Sequence, residues 1–225
     1  MSRYTGPRLK ITRRLGSLPG LTTKKPTKRQ FAPGEHGRAF TKKQKSKRNK
    51  LSQYSLGLLE KQKLRYNYGI TERQLFNYVK KARWASESSG DVLLQLLEMR
   101  LDNIIYRLQL ATSISAARQL INHGHVLVNG SLVSFPSYQC KALDEIQLKT
   151  HSKPDNSDVG NPPTKERVII LKRKVNKKKL GQYLPNYLSF NYQTSVGKIN
   201  NLADKKSIHL KINELLVIEF YSRKF

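Results

Sequence analysis

Three arginines and two histidines have the most suggestive spacing in the chain. Arg100, Arg107 and Arg118 fall on consecutive helical stretches, and His123 and His125 close the second of them. A guanidinium presents several N–H donors in one plane, which suits phosphate and carboxylate oxygens. Three of them converging where two helices pack would make a phosphate-binding surface. Glu98 and Asp102 on the opposite flank could orient them, and the same spacing also permits a plainer arrangement in which the arginines sit in ion pairs within the chain. The histidines invite a metal or acid–base reading. Their neighbours include no cysteine pair and no Glu at ligand spacing, so a turn lying against nucleic-acid backbone suits them better, and no metal is expected. No glycine loop for a nucleotide and no acidic pair in an apolar setting stands out, so neither a catalytic residue nor a cofactor is expected. The single cysteine, Cys140, can form no disulfide within the chain.

The elements that must hold these residues follow from apolar periodicity. Val92, Leu93, Leu96, Leu97, Leu101, Ile104, Ile105 and Leu108 predict one helical run with Arg100, Asn103 and Arg107 on its polar face. Ser113 is a good N-cap for a second helix, with Ile114, Ala117, Leu120 and Ile121 inward, Arg118, Gln119 and Asn122 outward, and Gly124 at its end. Val126-Leu127-Val128 reads as a strand, Asn129-Gly130 as a type I′ hairpin turn, and Ile146-Gln147-Leu148 as a further strand. Upstream, a helix is predicted from about Ser52 to Tyr66, ending near Gly69. A second begins with a capping box of Thr71 and Gln74, flanked by a staple of Ile70 and Leu75. Residues 151–165 read as a loop, 167–171 as a short strand, and 172–179 as a basic surface. The apolar run Leu215-Leu216-Val217-Ile218 with Phe220-Tyr221 reads as a C-terminal strand that packs back on the earlier helices.

Charge is unevenly spread along the 225 residues, whose formal net charge is +28. Residues 1–50 hold 16 basic side chains against one acidic, whereas residues 91–150 are balanced at five of each. Such an excess points to a nucleic-acid partner, with a membrane surface the weaker alternative. No run approaches the length of apolar residues needed to span a bilayer. With Gly6-Pro7, Pro19-Gly20, Lys25-Pro26 and Pro33-Gly34 as breakers, residues 1–50 read as a basic arm with little order until it lies on phosphate. Its candidate contacts are Arg3, Arg8, Arg13, Arg14, Lys42, Lys43, Lys45, Lys47, Arg48 and Lys50, joined by Lys61, Lys63, Arg65 and Arg73 on the two helices that follow. If about ten phosphates are neutralised, log affinity should fall with log salt at a slope of roughly −7 to −9.

Several motifs together resemble the S-four family of small-subunit ribosomal proteins, of the bacterial and organellar type. They are Arg3-Tyr4-Thr5-Gly6-Pro7, Leu96-Leu97-Glu98, Arg100-Leu101-Asp102-Asn103, Tyr106-Arg107-Leu108, Ala117-Arg118-Gln119-Leu120, His123-Gly124-His125, Val128-Asn129-Gly130 and Asn213-Glu214-Leu215-Leu216. Arg14-Leu15-Gly16 and Leu94-Gln95-Leu96-Leu97-Glu98-Met99-Arg100 lean toward the plastid-encoded branch. The resemblance covers residues 1–22, 31–38, 51–149 and 208–225. It implies an α+β fold: a helical domain with a basic N-terminal arm and a returning C-terminal strand, plus an inserted small α-α-β RNA-binding module. The corresponding bounds are 1–50 for the arm, 51–98 with 207–225 for the helical domain, 99–150 for the module, and 151–206 for a variable basic loop region with short strands.

The resemblance further implies a structural, non-enzymatic protein. It would bind the 5′ domain of small-subunit rRNA early in assembly, touch the small-subunit protein S-five, lie near the mRNA entry channel and support decoding accuracy. The implied compartment is the plastid, or alternatively the bacterial cytoplasm. Its RNA-facing residues map onto Arg100, Asn103, Arg107, Ser115, Arg118, Gln119, His123, His125 and Asn129. Three positions depart from the pattern. Gln109 stands where a helix-ending Gly is common, so that turn is expected to close by other geometry; Ile114 replaces a basic residue; Ala116 replaces the Glu of a capping box, at a cost of roughly 1 kcal/mol. Competing classes are an RNA-modifying or aminoacylating enzyme that borrows the module, which would show turnover on RNA, and a free RNA chaperone, which would not sediment with small subunits in high salt.

Overall fold

The computed structural model describes residues 4–27, 29–45, 51–149, 184–191, 194–208, 210 and 212–222. Helix α1 (Arg8–Leu15) and helix α2 (Gly37–Lys45) lie in the N-terminal segment. Ile11 and Leu15, one turn apart, join Leu18 and Leu21 in a small buried cluster against Leu59, Tyr66 and Leu210. The chain after α1 is anchored by polar contacts as well. Gly20 N–H donates to Asn67 Oδ1 at 3.0 Å, and Tyr106 Oη donates to Pro19 O at 2.9 Å. Gly20 sits so close to Asn67 that a Cβ would come within 2.4 Å of its carbonyl oxygen. This corrects the expectation of an arm without order over this stretch: four apolar side chains among the cations suffice to dock it.

Helix α3 (Gln53–Tyr68) starts at Ser52, whose side chain accepts from Ser55 N–H, and ends at Gly69 in the left-handed conformation. Helix α4 (Glu72–Arg83) has the full capping box, with Thr71 accepting from Gln74 N–H and Gln74 Oε1 accepting from Thr71 N–H. Ile70 and Leu75 share one buried cluster, as a staple requires. The predicted single run over 91–108 is two helices, α5 (Ser89–Glu98) and α6 (Leu101–Arg107). Arg100 between them is extended, at φ −72° and ψ 138°, and forms an isolated β-bridge with Gln139. Leu101 N–H donates to Tyr138 O and Cys140 N–H to Met99 O. The exposed backbone groups of the break are thus met by the loop at 136–140, which periodicity on one segment cannot anticipate.

The C-terminal run is a helix, α8 (Glu214–Ser222), and not a strand. Val217, Phe220 and Tyr221 point at Leu64, Leu93 and Leu97, in the cluster built by α3, α4 and α5. The run does return to the first domain, as expected. Among the described residues no strand edge lies there, so its backbone bonds are best closed within itself. Tyr221 Oη donates to Glu72 Oε1 at 2.7 Å, and Lys61 Nζ donates to the same oxygen at 2.8 Å.

After α6 the chain turns through Gln109, which takes φ 59°. Gln109 thus occupies the left-handed region, as a helix-ending Gly would, which corrects the expectation that the turn closes by other geometry. Since that region costs an L-residue about 1 kcal/mol, Gln109→Gly should raise stability by about 0.5–1 kcal/mol, read as a rise of a few degrees in Tm. A fall in Tm would mean the glutamine side chain holds a contact that outweighs the strain.

Helix α7 (Ile114–Asn122) is capped by Ser113, which accepts from Ala116 N–H. Strands β1 (Val126–Val128), β2 (Ser131–Leu132) and β3 (Glu145–Leu148) follow. The turn between β1 and β2 has φ 50° at Asn129 and 78° at Gly130, the signs a type I′ turn needs. Strands β4 (Leu188–Asn191) and β5 (Val196–Ile199) complete an antiparallel sheet of order β2-β1-β3-β5-β4. Val128, Ile146 and Gly197 pair across it on the face that meets α6, where Gly197 leaves room for Leu108. Tyr187 and the strands Leu188–Asn191 and Val196–Ile199 are thus part of the module's sheet and core, beyond the expected limit at 150. The strand expected at 167–171 lies outside the described residues. Among the described residues no helix is long and apolar enough to cross a membrane.

Candidate nucleic-acid interface

The three arginines do converge, but on two buried carboxylates. Asp102 Oδ1 accepts from Arg100 Nε at 3.0 Å, and Oδ2 accepts from Arg100 Nη2 at 2.9 Å and from Arg118 Nε at 2.7 Å. Arg100 Nη1 donates to Tyr78 Oη at 2.6 Å. The rest of the Arg118 fork caps the end of α3, donating to Tyr68 O at 2.8 Å and to Gly69 O. Glu98 gathers a second set. Arg107 donates to it through Nε at 3.0 Å and Nη2 at 2.6 Å; Tyr68 Oη donates at 2.5 Å, Asn103 Nδ2 at 2.5 Å and Tyr187 Oη at 3.1 Å.

Burial decides what these groups can do. Arg100 and Asn103 are each 2% exposed, and the side chains of Arg107 and Arg118 are 10% and 15% exposed. Lys61, at 6%, is committed to Glu72. Burial alone would raise the Glu98 pKa, but Arg107, with the hydrogen bonds from Tyr68 and Asn103, outweighs it and holds the carboxyl below its ordinary value. Arg107 and Arg100 are correspondingly locked in the charged form, the neighbouring carboxylates outweighing their burial. Breaking such a buried pair costs about 3–5 kcal/mol. Arg100, Asn103 and Lys61 therefore hold helices together, with almost none of their surface exposed.

The polar groups of the module that do face outward are on α7 and the turns beyond it. Ser115, Gln119, His123 and Asn129 are exposed and His125 is half-buried. The rings of His123 and His125 stack with centroids 6.1 Å apart. The Asn129 side chain is occupied locally, donating to Asp144 Oδ1 at 2.9 Å and accepting from Glu145 N–H at 2.8 Å, which fixes the β1–β2 hairpin against the turn before β3.

Outside the module, the expected cations fall into three groups. Arg8, Arg14, Lys42 and Arg73 are exposed. Arg13 donates to Phe31 O at 2.7 Å, Lys63 pairs with Glu60 at 2.6 Å, and Arg65 lies half-buried over the Tyr66 ring. Arg3, Lys47, Arg48 and Lys50 lie outside the described residues, as do the side chains of Lys43 and Lys45. Exposed cations that the candidate set omits include Lys80 and Lys81 on α4. They could have been found from the same helical wheel that assigned Leu75, Val79 and Ala82 to the core.

Among the described residues no three His, Cys, Asp or Glu side chains are grouped to hold a metal. Residues 3–98 match the model of "Ribosomal protein S4/S9 N-terminal domain", and residues 99–146 match "S4 domain". The boundary between the two falls at the break between α5 and α6. Similar curated proteins include "Small ribosomal subunit protein uS4" of Microcystis aeruginosa, 49% identical with both chains fully covered. "Small ribosomal subunit protein uS4c" of Cyathophorum bulbosum is 50% identical over the full length of both. The uS4c of Chlorokybus atmophyticus is 51% identical over 99% of each.

Proposed function

The chain belongs to the S4 family of small-subunit ribosomal proteins, and from that premise we propose that it joins the 5′ domain of small-subunit rRNA early in assembly and braces a helical junction there. It is a structural, RNA-binding ribosomal protein and not an enzyme. The single observation that supports the finer reading is the division of labour among its cations. Buried carboxylates absorb Arg100, Arg107 and Arg118 and fasten α3, α5, α6 and α7 into one rigid unit. Exposed cations on α4 and on α1, which packs against α3, are then carried at set mutual positions with Ser115, Gln119 and His123 on α7 and just beyond it. A rigid body with cations at separated places lowers the cost of bringing RNA helices together, and recognises them by shape and backbone rather than by base sequence.

Contact with the small-subunit protein S-five, a position near the mRNA entry channel and an influence on decoding accuracy follow from the same family reading. Relatives of similar identity carry both plastid and cyanobacterial names, so the plastid is the proposed compartment and the bacterial cytoplasm its alternative. Hydroxyl-radical footprinting on full-length small-subunit rRNA tests the core of this. Protection should be confined to a junction of the 5′ domain and should weaken when Ser115, Gln119 and His123 are changed to Ala together. Uniform protection along any duplex would leave only a generic polycation and overturn the reading.

A further inference from the structure

Trp84 is 83% exposed, the most exposed large hydrophobic side chain among the described residues. A single exposed apolar residue carries little meaning; its setting here carries more. Trp84 closes α4, its backbone N–H donating to Lys81 O at 3.2 Å. With Arg73, Asn77, Lys80 and Lys81 it falls at spacings of three and four, so all five lie on one face of the helix. All five are exposed, while Leu75, Val79 and Ala82 on the opposite side are buried. The only acid in α4, Glu72, is turned to Lys61 and Tyr221. The face is therefore a ridge of cations about 16 Å long, ending in an aromatic plate, with no carboxylate on it.

We propose that this ridge is a base-stacking site, in which the Trp84 indole stacks on an unpaired base while Arg73, Lys80 and Lys81 hold the phosphates beside it. The proposal rests on the RNA-binding reading above, which already gives the α4 cations to RNA, and adds to it an aromatic stacking contact and a nucleotide class. A protein partner fits poorly, because lysine is depleted from the centres of protein interfaces and the indole here is ringed by lysine. A fully paired duplex fits poorly too, because its base faces are covered, whereas a looped-out or terminal base offers a bare π-face. The negative end of the α4 dipole would resist phosphate weakly, but Lys80, Lys81 and Arg83 in the last turn more than offset it.

Trp84 is the only tryptophan in the chain, so its fluorescence reports on this position alone. On titrating full-length protein with a transcript of the rRNA 5′ domain, the indole emission should be strongly quenched as the complex forms. An equal charge of polyphosphate should leave it nearly unchanged. Trp84→Ala should weaken filter-binding affinity by about 5- to 150-fold, the range of one base–aromatic stack, and Trp84→Phe should restore most of the loss, with Tm unaltered in both. Changing Lys80 and Lys81 to Ala should flatten the salt slope by about 1.5. A complex seen by filter binding but silent in fluorescence, or quenching matched by polyphosphate, would overturn the stacking while leaving RNA binding intact. Absence of any complex would instead bring down the functional reading, and this inference with it.

Discussion

Replacing Glu98 by alanine should destabilise the protein by about 3–5 kcal/mol, a fall in Tm on the order of 10 °C for a chain of this size. The carboxylate is fully buried and accepts from Arg107, Tyr68, Asn103 and Tyr187. Its removal leaves the Arg107 guanidinium buried beside a void, with two phenol hydroxyls lacking their acceptor. Glu98→Gln keeps the shape and one carbonyl oxygen but meets Arg107 with an amide dipole, so its loss should be intermediate. Thermal melts of both variants check this; equal losses in the two would show that packing volume rather than charge governs the site. The pH dependence has a definite sign. Folding depresses the Glu98 pKa below the ordinary 4.5, so its stabilisation is complete above that value and is lost as pH falls through the folded one. Glu72, lowered by Lys61 and Tyr221 against the opposing effect of burial, contributes in the same window. The wild-type stability curve should therefore bend downward below about pH 4.5, and Glu98→Ala should lose part of that bend.

Local rules read this chain well wherever the structure is local. The capping box at Thr71 and Gln74, the left-handed Gly69, the Ser113 cap and the Asn129-Gly130 turn each depend on a few adjacent residues, and each is present. Errors arise where the deciding partner is distant in sequence. The break at Arg100 depends on acceptors and donors from 136–140, and the helical state of 214–222 depends on its being received by helices rather than by a strand edge. Strand β4 has a readable alternation in Leu188-Ser189-Phe190-Asn191, hidden by its position after a long polar stretch, whereas β5 has none. The arginines show the limit most sharply. Spacing placed Arg100, Arg107 and Arg118 together and named Glu98 and Asp102 as their orienting partners, which the ion pairs bear out. Spacing alone does not say that the meeting point is sealed by Tyr68, Tyr78 and Tyr187.

That burial makes arginines of two kinds separable by experiment. Changing the exposed Arg8, Arg14, Lys42 and Arg73 together to Ala should flatten the slope of log affinity against log salt by about 3–4, and weaken RNA binding at 0.1 M salt on the order of a thousand-fold. Tm should move little, since surface substitutions of this sort stay within about 0.5 kcal/mol each. Arg100→Ala should do the reverse: it removes two of the three donors on Asp102 and empties a buried site, lowering stability by about 3–5 kcal/mol, while the salt slope measured well below its Tm stays at the wild-type value. Neutralising the four side chains is a cleaner test than deleting residues 1–50, because deletion would also strip Leu18 and Leu21 from their cluster and Gly20 from Asn67. If Arg100→Ala lowered Tm and flattened the slope as well, the guanidinium would have to leave Asp102 for phosphate on binding. The α5–α6 break would then be an opening joint, because the charge that fastens it in the free protein would be the charge the RNA takes.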